Sequence, residues 1–303
     1  MADLRARMRP IGVRALTALL VAAAAAAMLP AVASATIVES VIEVPVRVTG
    51  ARGQRVEQTI KVTIFRDDRL GRAPYLVLHH GRPVSLEDLP AMGRARYPEN
   101  ARYFVRQGFV VLVPTRVGYG ESGGPDVENS GRCEDRQFRP AYAASADQTE
   151  AVLRAAADLP FVDPGRGIVV GQSFGGMTAL AVAARQHPGL VAAINFAGGG
   201  GGNPRERPAQ PCSQARLAGL FAEYGAQAAV PSLWLYSEND RYWGPHLPRQ
   251  WFERYVAAGA AAEFIALPPH GEDGHGIFSG NPAAWRPSVE AFLRRLGFTP
   301  PPR

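Results

Sequence analysis

Apolar runs and amphipathic segments alternate along most of the chain, and this alternation is the strongest constraint on its fold. From Ala73 onward, each short apolar run is followed by a stretch with helical periodicity; one such helix, SADQTEAVLRAAADL, is predicted to begin at Ser145, after a glycine-rich loop from Gly118 to about Pro140. This order favours a mostly parallel sheet with helices on both faces. Ahead of it, TIVESVIEVPVRVT and QRVEQTIKVTIFRD predict an antiparallel pair at one edge.

The N-terminus has a different composition. Several arginines precede an apolar run from Ala15 to Leu29, which is followed by Ala33-Ser34-Ala35. This layout is typical of a secretory signal peptide. The run is shorter than the roughly 20 residues that a membrane span needs. We therefore predict a leader over residues 1–35, cleavage after Ala35 and one domain over residues 36–303, with an uncleaved anchor as the alternative.

The charge balance gives no indication of a nucleic-acid partner. The net charge is +6, and the leader accounts for +3 of it, since it carries four arginines and one aspartate. The remaining +3 is small, and no basic stripe with interleaved aromatic residues is present. We expect no nucleic-acid partner and no stable membrane insertion once the leader is removed.

The most specific motif is Gly171-Gln172-Ser173-Phe174-Gly175. It matches G-x-S-x-G and lies between a predicted buried strand, GIVV, and a predicted helix. A sharp strand-to-helix turn lifts a serine hydroxyl out of the sheet, and the helix N-terminus behind it favours developing negative charge. Ser173 is therefore the candidate nucleophile.

A nucleophilic serine needs a base and an acid that orients the base, in the chain order Ser, Asp or Glu, His. The predicted strand PSLWLYSEND ends at Asp240, which is the first choice for the acid, with Glu238 as the alternative. The next strand leads to His270 and His275, and either is placed to act as the base. A metal site is disfavoured because their spacing falls in a glycine-rich loop with no third strong ligand nearby. We predict no metal and no cofactor.

The oxyanion hole needs two backbone N–H donors. Phe174, directly after the nucleophile, supplies one, and Arg82 in His80-Gly81-Arg82-Pro83 supplies the other, because proline has no N–H. The Arg82 side chain is also a candidate contact for an anionic substrate. We expect His79 and His80 to have packing roles.

Two pairs of residues complete the set of candidates. Tyr242 and Trp243 follow the candidate acid and are expected either to line the substrate pocket or to pack in the core. Cys133 and Cys212 would meet an oxidising compartment after export, where a disulfide is the default outcome, with two buried free thiols as the alternative.

Taken together, these motifs resemble the α/β-hydrolase superfamily. The chain looks most like its secreted dienelactone hydrolase and prolyl-oligopeptidase-related branch, from about Val38 to Leu296. The resemblance rests on HGRP at residues 80–83, GYGES at 118–122, GQSFG at 171–175, Asp240 and Gly274-His275-Gly276.

The resemblance implies several further features. It favours His275 over His270, because the catalytic histidine of such proteins commonly stands in a GH pair. It places Cys133 and Cys212 on two loops at the rim of the site. A bridge between them would close a loop of roughly 80 residues, on the order of 4–5 kcal/mol in the chain-entropy model. The loop sequence PTRVGYGES departs from the pattern of the family, because Thr115 and Val117 replace the Asp and Arg that relatives often carry.

The sequence thus predicts an exported serine hydrolase, periplasmic or extracellular, that cleaves small-molecule carboxylic esters. About 30 residues separate INFAGG from VPSLWL, enough for one helix and a short loop, so we expect a minimal lid and an open site. Two alternatives remain. The first is a serine peptidase or amidase, although prolyl-oligopeptidase relatives carry a large extra domain for which the chain lacks the length. The second is a non-catalytic binding protein of the same fold.

Overall fold

The structure is a computed structural model, and it describes residues 36–301. The predicted leader, residues 1–35, lies outside the described residues, so its cleavage after Ala35 stays a prediction.

One eight-stranded sheet organises the described chain, in the order β1-β2-β4-β3-β5-β6-β7-β8. Strand β2 pairs antiparallel with both β1 and β4, and the other pairs are parallel. The predicted mostly parallel sheet with an antiparallel edge pair is confirmed. The strands are β1 Ile37–Thr49, β2 Arg55–Asp67, β3 Ala73–His79, β4 Val110–Pro114, β5 Val162–Gln172, β6 Leu190–Phe196, β7 Ser232–Ser237 and β8 Ala262–Leu267.

Helices connect the strands and cover both faces of the sheet. They are α1 Asp88–Ala91, α2 Pro98–Arg106, α3 Phe138–Ala157, α4 Phe174–Ala183, α5 Gln214–Gln227, α6 Leu247–Ala257, α7 Ile277–Gly280 and α8 Pro282–Arg295. The predicted start of α3 at Ser145 is wrong, because the helix begins seven residues earlier at Phe138. Pro140 lies in the first turn, where backbone N–H groups have no acceptor within the helix, so proline is tolerated there.

The core has two layers, one on each face of the sheet. Successive side chains of a strand point to opposite faces, so Leu112 of β4 joins one layer while Val111 and Val113 join the other. Helices α3 to α6 cover the first layer, and α2 and α8 cover the second, for example through Trp285. The fold therefore brings the carboxyl ends of β3 to β8 to a single edge, where the candidate residues lie.

Within residues 36–301, none of the helices combines the length and the apolar character that crossing a bilayer requires.

Candidate active site

Ser173 occupies the turn between β5 and α4. Its backbone angles are φ 57° and ψ −122°, which is strained for a residue with a side chain. The turn is tight enough to require glycine at both ends. A Cβ on Gly171 would lie 2.1 Å from the Gly175 carbonyl oxygen, and one on Gly175 would lie 2.5 Å from the His79 carbonyl oxygen. This glycine-flanked turn thus holds the Ser173 hydroxyl at the carboxyl end of β5.

The serine begins a hydrogen-bonded chain with the two predicted partners. Ser173 Oγ lies 2.9 Å from His275 Nε2, and His275 Nδ1 lies 2.9 Å from Asp240 Oδ2. This pattern suits the tautomer that carries its proton on Nδ1, which donates to the carboxylate and leaves Nε2 to accept from the serine hydroxyl. The three residues therefore have the mutual geometry of a nucleophile, a base and an orienting acid.

Asp240 is held by backbone donors of its own loop. Its Oδ1 accepts from the N–H groups of Tyr242 at 2.8 Å and Trp243 at 3.2 Å, which leaves Oδ2 directed at the imidazole. The residue is buried, whereas Glu238 is exposed. The prediction that Asp240 ends the strand is wrong, because β7 ends at Ser237, where its pairing with β8 stops. The acid lies in the following turn.

His275 lies in a single 3₁₀ turn, Gly274–Gly276. Asp273 Oδ1 accepts from its N–H at 3.0 Å, and its carbonyl accepts from the Gln172 side chain at 3.0 Å. His270 lies elsewhere, with its ring against Gly280 and its N–H donating to Asn239 Oδ1 at 2.9 Å. The structure therefore brings His275, and not His270, to the serine.

Two aromatic residues support the imidazole in addition to lining the site. The Tyr242 ring stacks on the His275 ring at 3.8 Å and 19°, and Trp243 meets it edge-on at 5.5 Å. The Trp243 indole N–H donates to the Ala197 carbonyl at 2.8 Å, which fixes the ring. The sequence predicted either pocket lining or core packing for this pair, but not this second role, because Tyr242 and His275 come from different loops.

The loop of the predicted second oxyanion donor passes directly over the serine. A Cβ on Gly81 would lie 3.3 Å from Ser173 Cβ. The Gly81 carbonyl contacts His80 Nδ1 at 2.7 Å, and in a trans peptide the Arg82 N–H points the opposite way. The Phe174 N–H, at the first residue of α4, is not used by the helical ladder. Both N–H groups thus remain candidate oxyanion donors.

The Arg82 side chain does not fit the role suggested for it. Its guanidinium donates to Asp126 at 2.9 Å and to the Tyr119 hydroxyl at 3.0 Å. An ion pair with Asp126 already satisfies its charge, so the expectation that it contacts an anionic substrate is not supported.

A buried ion pair lies beneath this loop. Arg116 and Glu128 are both fully buried and meet at 2.6 Å. Arg116 also donates to the His80 carbonyl at 2.9 Å, and the Tyr119 hydroxyl donates to Glu128 at 2.5 Å. The Arg116–Glu128 pair thus supports the loop at residues 80–83. Thr115 and Val117, on either side of Arg116, occupy the positions where relatives often carry Asp and Arg. The sequence signal for the ion pair was a charge two residues after the apolar run VVLVP, since a buried charge needs a partner.

His79 and His80 are buried in the same region, as expected for packing roles. Burial, and next the positive charge of Arg116, lower the pKa of His79 to about 3. The same causes hold the pKa of His80 well below its usual range. Both rings are therefore neutral at ordinary pH.

Cys133 and Cys212 form a disulfide, with their Cα atoms 4.9 Å apart. It joins the loop after β4 to the loop after β6, across 79 residues of sequence. The Ser213 hydroxyl reinforces the link by donating to the Cys133 carbonyl at 2.8 Å. The two loops are thus tied together beside the serine.

Ser173 opens into two cavities. The larger, about 440 Å³, also contains His275, Tyr97 and Arg94, and the smaller, about 220 Å³, contains Phe174. Tyr242 lines both, whereas Trp243 lines only the smaller one. Within the described residues, no group of three or more His, Cys, Asp or Glu side chains is placed to hold a metal ion.

Comparisons with known proteins place the chain among related structures. A family model described as alpha/beta hydrolase fold matches residues 74–221. No curated protein sequence matches the chain.

Three solved structures illustrate the range of similar proteins. A puromycin-hydrolyzing peptidase of Mycobacterium tuberculosis is 18% identical with a TM-score of 0.56, over 86% of this chain and only 40% of the peptidase. A dienelactone hydrolase-like promiscuous phosphotriesterase from metagenomic libraries is 16% identical with a TM-score of 0.57, over 87% of this chain and 98% of that one. A cold-adapted esterase from an Arctic intertidal metagenomic library is 17% identical with a TM-score of 0.55, over 86% and 94%. At such identities, the likeness is one of fold.

Proposed function

Since this chain is an α/β-hydrolase-fold protein, we propose that it is a serine hydrolase that cleaves carboxylic esters through an acyl-enzyme on Ser173. The observation that carries the proposal is the chain of two 2.9 Å contacts from Ser173 Oγ through His275 to Asp240, at the mouth of two cavities. Together these three groups match the Ser-His-Asp catalytic constellation.

In the first half of the reaction, Ser173 Oγ attacks the ester carbonyl carbon and its proton passes to His275 Nε2. The N–H groups of Phe174 and Arg82 stabilise the negative charge on the carbonyl oxygen. The bond to the alcohol oxygen then breaks, and the imidazolium returns its proton to that oxygen. Asp240 stabilises the imidazolium and keeps its orientation.

In the second half, His275 removes a proton from water, and the hydroxide attacks the acyl carbon. The bond to Ser173 Oγ breaks as the imidazolium returns the proton to the serine. One ester and one water thus give one acid and one alcohol, and the enzyme is regenerated without a metal or a cofactor.

The alternative is cleavage of peptide or amide bonds by the same residues. It is favoured by the peptidases among the similar structures, which share this fold with the esterases. An open site suits both classes, since in the described chain a single helix, α5, lies between β6 and β7.

The test compares 4-nitrophenyl butyrate with the matching butyryl 4-nitroanilide, using purified protein. We expect turnover of the ester and a loss of about 10⁴-fold or more in Ser173→Ala. The control is Ser279→Ala, at an exposed serine outside both cavities. Faster turnover of the anilide would favour the peptidase alternative, and no turnover of either would favour a binding protein.

We also propose export of the protein. The leader-like sequence at residues 1–35 and the Cys133–Cys212 disulfide support this, because disulfides persist in oxidising compartments. The measurement is the mass of the protein recovered from a periplasmic or culture fraction. Cleavage after Ala35 predicts a chain that begins at Thr36.

A further inference from the structure

In the proposed reaction, the two cavities at Ser173 would hold the two halves of an ester. His275 returns its proton to the departing oxygen, so the alcohol lies on the imidazole side, in the larger cavity. The acyl group stays on Ser173 with its carbonyl oxygen toward the Phe174 N–H, and it extends into the smaller cavity, which contains Phe174 but not His275. The smaller cavity, about 220 Å³, therefore limits the acyl group to a short one.

The smaller cavity is mostly aromatic and glycine-lined, with Arg136 among its polar residues. Its walls include Phe138, Phe174 and Trp243, together with the glycines at residues 199–202. Arg136 is three residues from the disulfide-bonded Cys133, and its backbone N–H donates to Ser213 Oγ at 3.1 Å. The disulfide and this bond fix the part of the loop that carries the guanidinium.

The guanidinium of Arg136 is only partly satisfied by the protein. One nitrogen, Nη1, donates to Ser130 Oγ at 3.3 Å, while Nε is buried and has no hydrogen-bond partner. The two acidic neighbours pair elsewhere, Glu134 with Arg132 and Asp135 with Arg216. Within residues 36–301, no carboxylate forms an ion pair with Arg136.

The surroundings of Arg136 are positive. Burial is the largest cause that lowers the pKa of its guanidinium, and the charges of Arg82 and Arg207 lower it further. Arg82 lines the same cavity but is neutralised by Asp126, so Arg136 is the cation in this wall that lacks a counter-charge. A partly buried, uncompensated charge is costly. A negative group on a bound ligand would offset that cost.

We propose that Arg136 binds a carboxylate at the free end of the acyl group, so that the preferred substrates are monoesters of short dicarboxylic acids. The inference rests on the proposed function and adds a substrate class to it. A guanidinium offers two parallel donors that match the two oxygens of a carboxylate. The alcohol is less restricted, because it occupies the larger cavity.

The direct test uses monobenzyl esters of succinic, glutaric and adipic acid. Each is compared with the benzyl methyl diester of the same acid, which lacks the negative charge. We expect kcat/KM for the best monoester to exceed that of its diester by roughly 10- to 100-fold, as for a hydrogen-bonded charge pair. A ratio of one or less at all three lengths would overturn the inference.

A set of variants assigns the preference to Arg136. Arg136→Gln removes the charge, and we expect the monoester-to-diester ratio to fall to near one. Arg136→Lys keeps the charge but loses the paired donors, and we expect an intermediate ratio. Arg132→Gln is the matched control, since Arg132 lies in the same loop but is exposed and lines neither cavity. An unchanged monoester-to-diester ratio in a folded Arg136→Gln variant would contradict the proposed role of Arg136.

The two proposals fail in different ways. Hydrolysis of the diesters without a preference for monoesters would leave the serine hydrolase assignment in place and contradict the role of Arg136. Hydrolysis of neither class, with no acyl-enzyme on Ser173, would contradict both. The wild-type ratio decides the inference even if Arg136→Gln does not fold.

Discussion

Two regions of this molecule contain histidines in contrasting surroundings, the cleft at Ser173 and the buried layer beneath residues 81–83. In the cleft, His275 lies between a hydroxyl and a buried carboxylate. In the layer below, His79 and His80 lie beside the Arg116 guanidinium, and their pKa values are lowered by burial and by that charge. In the cleft the imidazole contacts the two groups that the proposed mechanism requires, whereas in the layer below the rings stay neutral.

The contrast shows that partners, and not residue type, set the role of a histidine. A carboxylate stabilises an imidazolium, whereas a buried arginine destabilises one. The Arg116–Glu128 pair and the two neutral rings thus support residues 81–83 from below, and His275 lies on the other side, at Ser173. Each prediction below alters one side of this comparison.

The largest effect is expected from removing the base in the cleft. His275→Ala should lower kcat for an ester by about 10⁴-fold or more, because it removes the base within hydrogen-bond distance of the Ser173 hydroxyl. His270→Ala is the control, since that ring packs against Gly280, and it should retain most of the activity. The reverse result would exchange the two assignments.

The next effect comes from removing the carboxylate partner. Asp240→Asn should lower kcat by roughly 10⁴-fold, since an amide no longer stabilises the imidazolium and favours the wrong tautomer. Glu238→Gln, two residues away and exposed, should have little effect. Steady-state kinetics of both variants measure the difference. Equal losses in the two would place the orienting acid elsewhere.

The two buried histidines, His79 and His80, should make the free energy of unfolding depend on pH. The unfolded pKa of histidine is about 6.5, and that of folded His79 is about 3. Below pH 6.5 the unfolded chain therefore binds a proton that the folded chain does not, so stability falls as the pH falls. At pH 5 this amounts to about 2 kcal/mol for His79, and His80 acts in the same direction.

Urea unfolding at pH 8 and pH 5 measures this loss. His79→Gln should reduce the difference between the two pH values by about 2 kcal/mol. His246→Gln, at an exposed histidine, should leave the difference unchanged. A His79→Gln variant with the wild-type pH dependence would mean that the buried ring does not resist protonation.

The smallest effect is expected from the ring stacked on His275. Tyr242→Leu removes the stacking but keeps the backbone N–H that binds Asp240, and kcat/KM should fall by about 2- to 10-fold. Tyr242→Phe keeps the ring and should remain close to wild type. A large loss in Tyr242→Phe would instead indicate a role for the hydroxyl.

The sequence was informative wherever local pattern and chain order decide the structure. The alternation of strands and helices predicted the sheet, and the G-x-S-x-G turn predicted the position of Ser173. The positions of Asp240 and His275 followed because each lies in a loop after a strand that ends at the same edge of the sheet. These features depend on periodicity and glycine placement, which a sequence displays directly.

Contacts between loops were not predictable in this way. Arg116 and Glu128 lie 12 residues apart in an irregular loop, so no period relates them. The stacking of Tyr242 on His275 and the unpaired state of Arg136 also depend on how separate loops meet. Pro140 was placed in the loop before the helix, whereas it lies in the first turn of α3, where a proline is tolerated.

The central claim is that Ser173 is the nucleophile, and covalent labelling tests it most directly. A fluorophosphonate probe reacts with a serine only when a neighbouring base activates it. We predict one added probe per molecule, located on Ser173 by peptide mass spectrometry, and no added mass in Ser173→Ala or after unfolding. Labelling that persists in Ser173→Ala, or no labelling of the folded wild-type protein, would contradict the account.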